Sequence, residues 1–217
     1  MRGLFSFLSI LLSSSLSLAE PDSDQNSLVN PVVEIHSTLG VIVLQLDAVN
    51  APLSTQNFLN YVKLDGYRDS IFHRVIPEFM IQAGGYYETL ADMDEGDPIR
   101  NEATNGLKNV YGSVAMARSD EIDSAGRQFF INVNNNPHLD HSEKSCTRED
   151  ERRRLAAASR GLIRPQSCRS YGYTVFGQVI DGFDVIAKIE NLPTEVRGDF
   201  ETIPIDTVTI ERVTQRE

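Results

Sequence analysis

The sequence predicts a mainly β domain of many short strands, a barrel or a sandwich, with few helices. Short apolar runs recur at Val32 to His36, Val41 to Leu46, Ile71 to Ile76, Phe79 to Ala83, Gly112 to Ala117, Gln128 to Val133 and Thr174 to Ile180, bounded by Gly, Pro, Asn or Asp. Helical spacing of apolar residues is confined to a few short stretches, and no internal repeat is evident. A chain of 217 residues suits one domain with a sizeable core.

The first two runs flank Ser37-Thr38-Leu39-Gly40, which makes them an opening hairpin, with Val41, Val43 and Gln45 alternating against Ile42, Leu44 and Leu46. A helix is expected at 52 to 64, because Asn50 is a good cap, Pro52 suits a first turn, and Phe58, Leu59 and Val62 share a face before Gly66 ends it. A second helix is expected at Phe183 to Glu190 after Asp181-Gly182, and a last strand at Asp206 to Val213.

Residues 1–19 have the form of a secretory signal: Arg2 is cationic, Leu4 to Leu12 is apolar, and Ser17-Leu18-Ala19 offers small residues for cleavage after Ala19. A retained anchor would need ~20 apolar residues, more than this run supplies. Residues 20–30 are polar and read as a flexible lead-in, so the folded domain is expected at 31–217. The mature chain is then expected outside the cytoplasm, in a periplasm or secreted, without membrane insertion and as a monomer. The formal charge of −11 speaks against nucleic acid or anionic membranes as general partners.

Only two cysteines occur, Cys146 and Cys168, and their spacing fits neither a C-x-x-C pair nor a four-ligand zinc frame. In an exported chain one structural disulfide is the natural reading. Of the four histidines only His138 and His141 lie close together, without supporting ligands, so no metal and no cofactor is expected. Neither a phosphate-binding glycine loop nor a Ser-His-Asp order stands out.

The chemistry points to Phe72-His73-Arg74-Val75-Ile76-Pro77-Glu78-Phe79-Met80-Ile81-Gln82. Strand alternation places Phe72, Arg74 and Ile76 on one face and Met80 and Gln82 on one face of the next strand. A turn at Pro77-Glu78 would bring Arg74 and Gln82 together over Phe79 and Met80, giving an apolar pocket with fixed donors. Such a pocket suits rotation about X-Pro bonds, which needs neither nucleophile nor metal. Ordinary ion pairing at the surface is the alternative fate of Arg74, and core packing that of the apolar residues.

The runs F-H-R-V-I-P-E-F-M-I-Q-A-G-G, G-S-V-A-M-A-R, Q-F-F-I-N-V and Y-T-V-F-G-Q-V together resemble the motifs of cyclophilins, and among them small bacterial periplasmic members. The resemblance spans Pro31 to Val213 and implies a closed eight-stranded antiparallel barrel capped by two helices, with peptidyl-prolyl cis-trans isomerase activity on proline-containing segments of unfolded proteins. It implies that Arg74 is catalytic, that Gln82 holds the substrate backbone, that Phe79, Met80, Phe130 and Leu139 line the proline pocket, and that Ala117 and Gln128 flank the groove. Arg118 stands where many members carry a main-chain-binding Asn, and its own backbone offers equivalent groups. His138 stands where the best-known eukaryotic members carry Trp, and Tyr173 where they carry a pocket-lining His.

Residues 141–170 depart from the compact pattern. Thr147-Arg148-Glu149-Asp150 resembles a capping box, Gly161 a stop, and a helix at Arg148 to Arg160 would let Cys146 and Cys168 meet as the base of a stapled basic finger. Lys144, Arg148, Arg152, Arg153, Arg154, Arg160, Arg164 and Arg169 crowd this segment, either as a solvated face or as a surface for an acidic client. A proline-binding module without turnover, and a holdase acting through the finger, are the rival functions.

Overall fold

The computed structural model describes residues 30–162 and 168–216. The expected signal, most of the lead-in and the stretch 163–167 lie outside the described residues. The strands are β1 Val32–Ser37, β2 Gly40–Leu46, β3 Ser70–Ile76, β4 Met80–Tyr87, β5 Ser113–Met116, β6 Phe129–Asn132, β7 Val175–Asp181, β8 Thr194–Arg197, β9 Phe200–Pro204 and β10 Thr209–Gln215. Eight of them close an antiparallel barrel in the order β1-β10-β3-β4-β6-β5-β7-β2, while β8 and β9 form a separate two-stranded sheet.

The barrel interior is filled by inward residues of successive strands, among them Ile35, Leu44, Val75, Ile81, Phe129, Ile131 and Phe176. Helix α1 (Pro52–Lys63) sends Phe58 into it, where its ring lies 4.9 Å from Tyr67 and 5.4 Å from both Phe129 and Phe176. Burial of these large apolar side chains is the main favourable term holding the barrel closed. Helix α3 (Phe183–Glu190) buries Val185, Ile186 and Ile189, residues at i, i+1 and i+4 on its core side. Gly182 begins α3 at φ +85°, and a Cβ there would meet the Val41 carbonyl oxygen at 2.3 Å, so only glycine fits this entry.

Two local expectations are corrected. Asn50 does not cap α1: its amide bonds Asp47, and Ala51 takes the cap position without a side-chain bond. The open N–H groups of Leu53 and Ser54 instead donate to the carboxylate of Glu102, at 3.0 and 2.9 Å. That anion also complements the positive end of the helix. At the other end Asp65, not Gly66, takes the left-handed conformation at φ +54°.

Phe72 does not share the face of Arg74. The β3–β4 register slips between these residues, with Phe72 opposite Ala83 and Arg74 opposite Gln82. This bulge turns Phe72 into the interior cluster and leaves Arg74 outside. The β8–β9 hairpin was not anticipated either; it packs over β3, where Phe200 and Tyr86 enclose His73.

His73 is only 3% exposed, with its ring 4.7 Å from that of Tyr86, and its Nδ1 has no hydrogen-bond partner among the described residues. Burial pushes its pKa from 6.5 down to about 4. Between those values the unfolded chain binds a proton that the folded chain does not, so this residue's contribution is complete above pH 6.5 and is lost as pH falls to 4. The expected loss is about 3 kcal/mol. Urea unfolding followed across this range should show that slope, and His73→Phe should flatten it.

The insertion folds as helix α2 (Arg148–Ser159), opened by the expected capping box of Thr147 and Asp150. It ends at left-handed Gly161, with the Leu162 N–H donating to Ala157 O at 3.0 Å. Cys146 and Cys168 form a disulfide with Cα atoms 5.6 Å apart. The segment is no free finger. Arg148 pairs with Asp123 and donates to Asn101 O, Glu151 accepts the Ile122 N–H at 2.6 Å, and both cysteines pack with Ala103, Ile122 and Tyr171.

Candidate active site

A tight turn at Pro77-Glu78-Phe79 folds β3 onto β4; Glu78 takes φ +57°, and its N–H donates to Glu190 on α3 at 2.8 Å. The turn is also held from beneath. Asn136 donates to Phe79 O at 2.8 Å and to Asn132, and Asn132 donates to Ser113 Oγ at 2.9 Å. Buried and mutually satisfied, these amides fix the loop that carries the site's apolar rim.

Arg74 and Gln82 stand directly opposite each other on β3 and β4. Arg74 Nη1 lies 3.5 Å from Gln82 Oε1 and 3.8 Å from Met80 Sδ. Beneath them Met80 and Phe130 are 2% and 4% exposed and pack with Ala115 and Val175, with Phe79, Ala117, Leu139 and Tyr173 around the edge. The Phe130 and Tyr173 rings meet edge to face at 5.7 Å, and His138 stacks on Phe79 at 5.5 Å. Together these groups bound an open cleft of about 600 Å³. Partial burial draws the pKa of Arg74 downward, yet a guanidinium starts high enough to stay cationic.

Arg74, Gln82, Phe79, Met80, Ala117, Arg118, Phe130, Leu139, His138 and Tyr173 all line this cleft. Gln128 lies in an adjoining groove of about 370 Å³ that shares Gln82, Ala117 and Arg118 with it. The Arg118 side chain is engaged in clamping: it donates to the carbonyls of Gly172, Cys168 and Arg169 at 3.0 to 3.1 Å and lies 4.7 Å over the Tyr173 ring. Those bonds commit the side chain to the segment that follows the disulfide. Arg169 and Ser170 also line the cleft, which the sequence did not disclose. Their only signal was proximity to Cys168, whose disulfide fixes where the insertion returns.

Among the described residues no group of three or more His, Cys, Asp or Glu side chains is arranged to hold a metal ion. His138 is stacked on Phe79, and His141 Nδ1 contacts Tyr171 O at 2.7 Å. No helix among the described residues is long and apolar enough to cross a membrane.

Residues 32–215 match the family profile of the cyclophilin type peptidyl-prolyl cis-trans isomerase/CLD. The chain belongs to the cyclophilin family. A peptidyl-prolyl cis-trans isomerase of Acinetobacter baylyi is 40% identical to this cyclophilin over 185 residues, 85% of each chain. Peptidyl-prolyl cis-trans isomerase B of Escherichia coli is 38% identical over 186 residues, 86% of this cyclophilin and all of that protein. A Cryptosporidium parvum cyclophilin crystallised in the presence of the dipeptide Ala-Pro shares the fold, with a TM-score of 0.62 at 24% identity, covering 86% of this chain and 99% of that one.

Proposed function

We propose that this cyclophilin accelerates cis-trans rotation of X-Pro bonds in exported proteins and so assists their folding. The observation that carries the reading is the guanidinium of Arg74 held beside Gln82, over an apolar floor of Met80 and Phe130. The barrier to be lowered, ~18–20 kcal/mol, arises from amide resonance. Seating the proline ring on Met80, Phe130 and Leu139 places its amide under Arg74. A donor aimed at the imide nitrogen, or one anchoring the proline carbonyl, favours the twisted amide over the planar one. A reduction of ~7 kcal/mol would be ~10⁵-fold in rate.

In this reading Gln82 and the Arg118 backbone hold the peptide main chain, Ala117 and Gln128 flank it, and Phe79, His138 and Tyr173 wall the pocket. Export rests on the signal-like residues 1–19 and is consistent with the disulfide. Exchange between the cis and trans forms of a short X-Pro peptide, followed by NMR, tests the chemistry: fast exchange is expected, and peptide binding without acceleration would make the domain a binding module. N-terminal sequencing of the protein recovered from its native cell tests export, with a start at Glu20 expected and a chain still beginning at Met1 the contrary result.

A further inference from the structure

Gln82 is the first link of a chain of side chains that ends on a carboxylate. Its Nε2 donates to Gln128 Oε1 at 2.9 Å, and Gln128 Nε2 donates to Glu95 Oε1. The second oxygen of Glu95 accepts the Arg127 N–H at 3.4 Å. The loop carrying Glu95 is itself pinned: Tyr61 Oη donates to Glu95 O at 2.8 Å, and the Arg127 guanidinium donates to Asp94 O at 2.9 Å. Room for the Gln128 amide exists because residue 85 is glycine, where a Cβ would lie 2.4 Å from the amide carbon.

We propose that Glu95 is a positioning residue for isomerisation, fixing the direction of both glutamine amides so that Gln82 presents its oxygen to Arg74. The inference rests on the assignment of Arg74 as the catalytic group. A glutamine amide has one end that donates and one that accepts, nearly equal in size, so a pair of them can run either way. A carboxylate only accepts. Gln128 must therefore turn its NH₂ to Glu95 and its oxygen to Gln82, which leaves the Gln82 oxygen for Arg74. The chain runs from a donor-only guanidinium to an acceptor-only carboxylate, and each link between them sets one donor against one acceptor. Reversed, it would set an NH₂ group against the guanidinium and loosen the geometry that rotation requires.

The test is steady-state isomerisation of an X-Pro peptide by the unmodified protein and by Glu95→Gln, Gln128→Leu, the pair together, and Arg74→Ala. Glu95→Gln keeps the size of the side chain but lets it donate. It is expected to lower kcat roughly fivefold, the difference between a charge-assisted and a neutral hydrogen bond, with little change in KM or in the unfolding midpoint. The NMR signals of the Gln82 side-chain amide should move as well. In the Gln128→Leu background the same change should have no further effect, because the link to Gln82 is already cut. Unchanged kcat in Glu95→Gln while Arg74→Ala is inactive would overturn the relay alone. Equal losses in both backgrounds with a lowered midpoint would also overturn it, reducing Glu95 to a loop anchor. Full turnover by Arg74→Ala would remove the relay and the functional reading together.

Discussion

Arg74→Ala is expected to lower kcat/KM for an X-Pro peptide by about 10²- to 10³-fold, the usual consequence of deleting one preorganised transition-state donor. The barrel should be unaffected. Arg74 lies outside the core, on the opposite face from Val75, and its side chain hydrogen-bonds Met80 and Gln82 on the neighbouring strand. Circular dichroism and the unfolding midpoint should therefore stay close to those of the unmodified protein. Arg74→Lys should restore little, because a single ammonium cannot hold several donors in one rigid plane. Full activity in the alanine variant would refute the assignment of the site.

Removing the disulfide with Cys146→Ala/Cys168→Ala is expected to cost about 3 kcal/mol, from the entropy regained by the unfolded chain. The two cysteines are 22 residues apart in sequence. For a chain of this size the melting midpoint should fall by roughly 6–12 °C, read by calorimetry. The site should feel the change too. Arg118 holds the carbonyls of Cys168 and Arg169 and lies over Tyr173, so freeing Cys168 loosens one wall of the cleft while Arg74, Gln82 and Phe130 stay fixed on the barrel. KM is expected to rise more than kcat falls. A midpoint shift without any change in KM would mean that the wall holds its place unaided.

What could be read from the sequence, and what could not, follows the range of the interactions involved. The barrel strands and α3 are marked by local apolar pattern and turn residues, and Phe183–Glu190 forms where that pattern places it. The α2 cap is likewise local, since Thr147 and Asp150 are three residues apart. The cap on α1 is not, because Glu102 comes from 49 residues away to meet Leu53. The bulge that separates Phe72 from Arg74 leaves no trace in the order of residue types, and strict alternation fails there. The β8–β9 hairpin escaped notice because Thr194–Arg197 buries no residue fully, so it lacks an apolar signature. At the cleft, motif residues on the barrel were legible as a set. Arg169 and Ser170 were not, since a cross-link and the Arg118 clamp bring them there.

Closure of the barrel matters for a protein proposed to work among unfolded chains. Extended polypeptides with unpaired N–H and C=O groups seek exposed strand edges, and an open sheet would offer them a template for mixed aggregates. Each of the eight barrel strands has a paired neighbour on both sides, so the barrel has no edge strand, its shortest seam joining β10 to β3 at two residue pairs. The β8–β9 ribbon does have edges, but it is short, carries Glu195, Arg197 and Glu201, and ends in Pro204. Those charges and that proline are the features that discourage a further strand from adding. In the proposed role, an unfolded chain would then meet this protein through side chains and proline rings in the cleft rather than along its backbone.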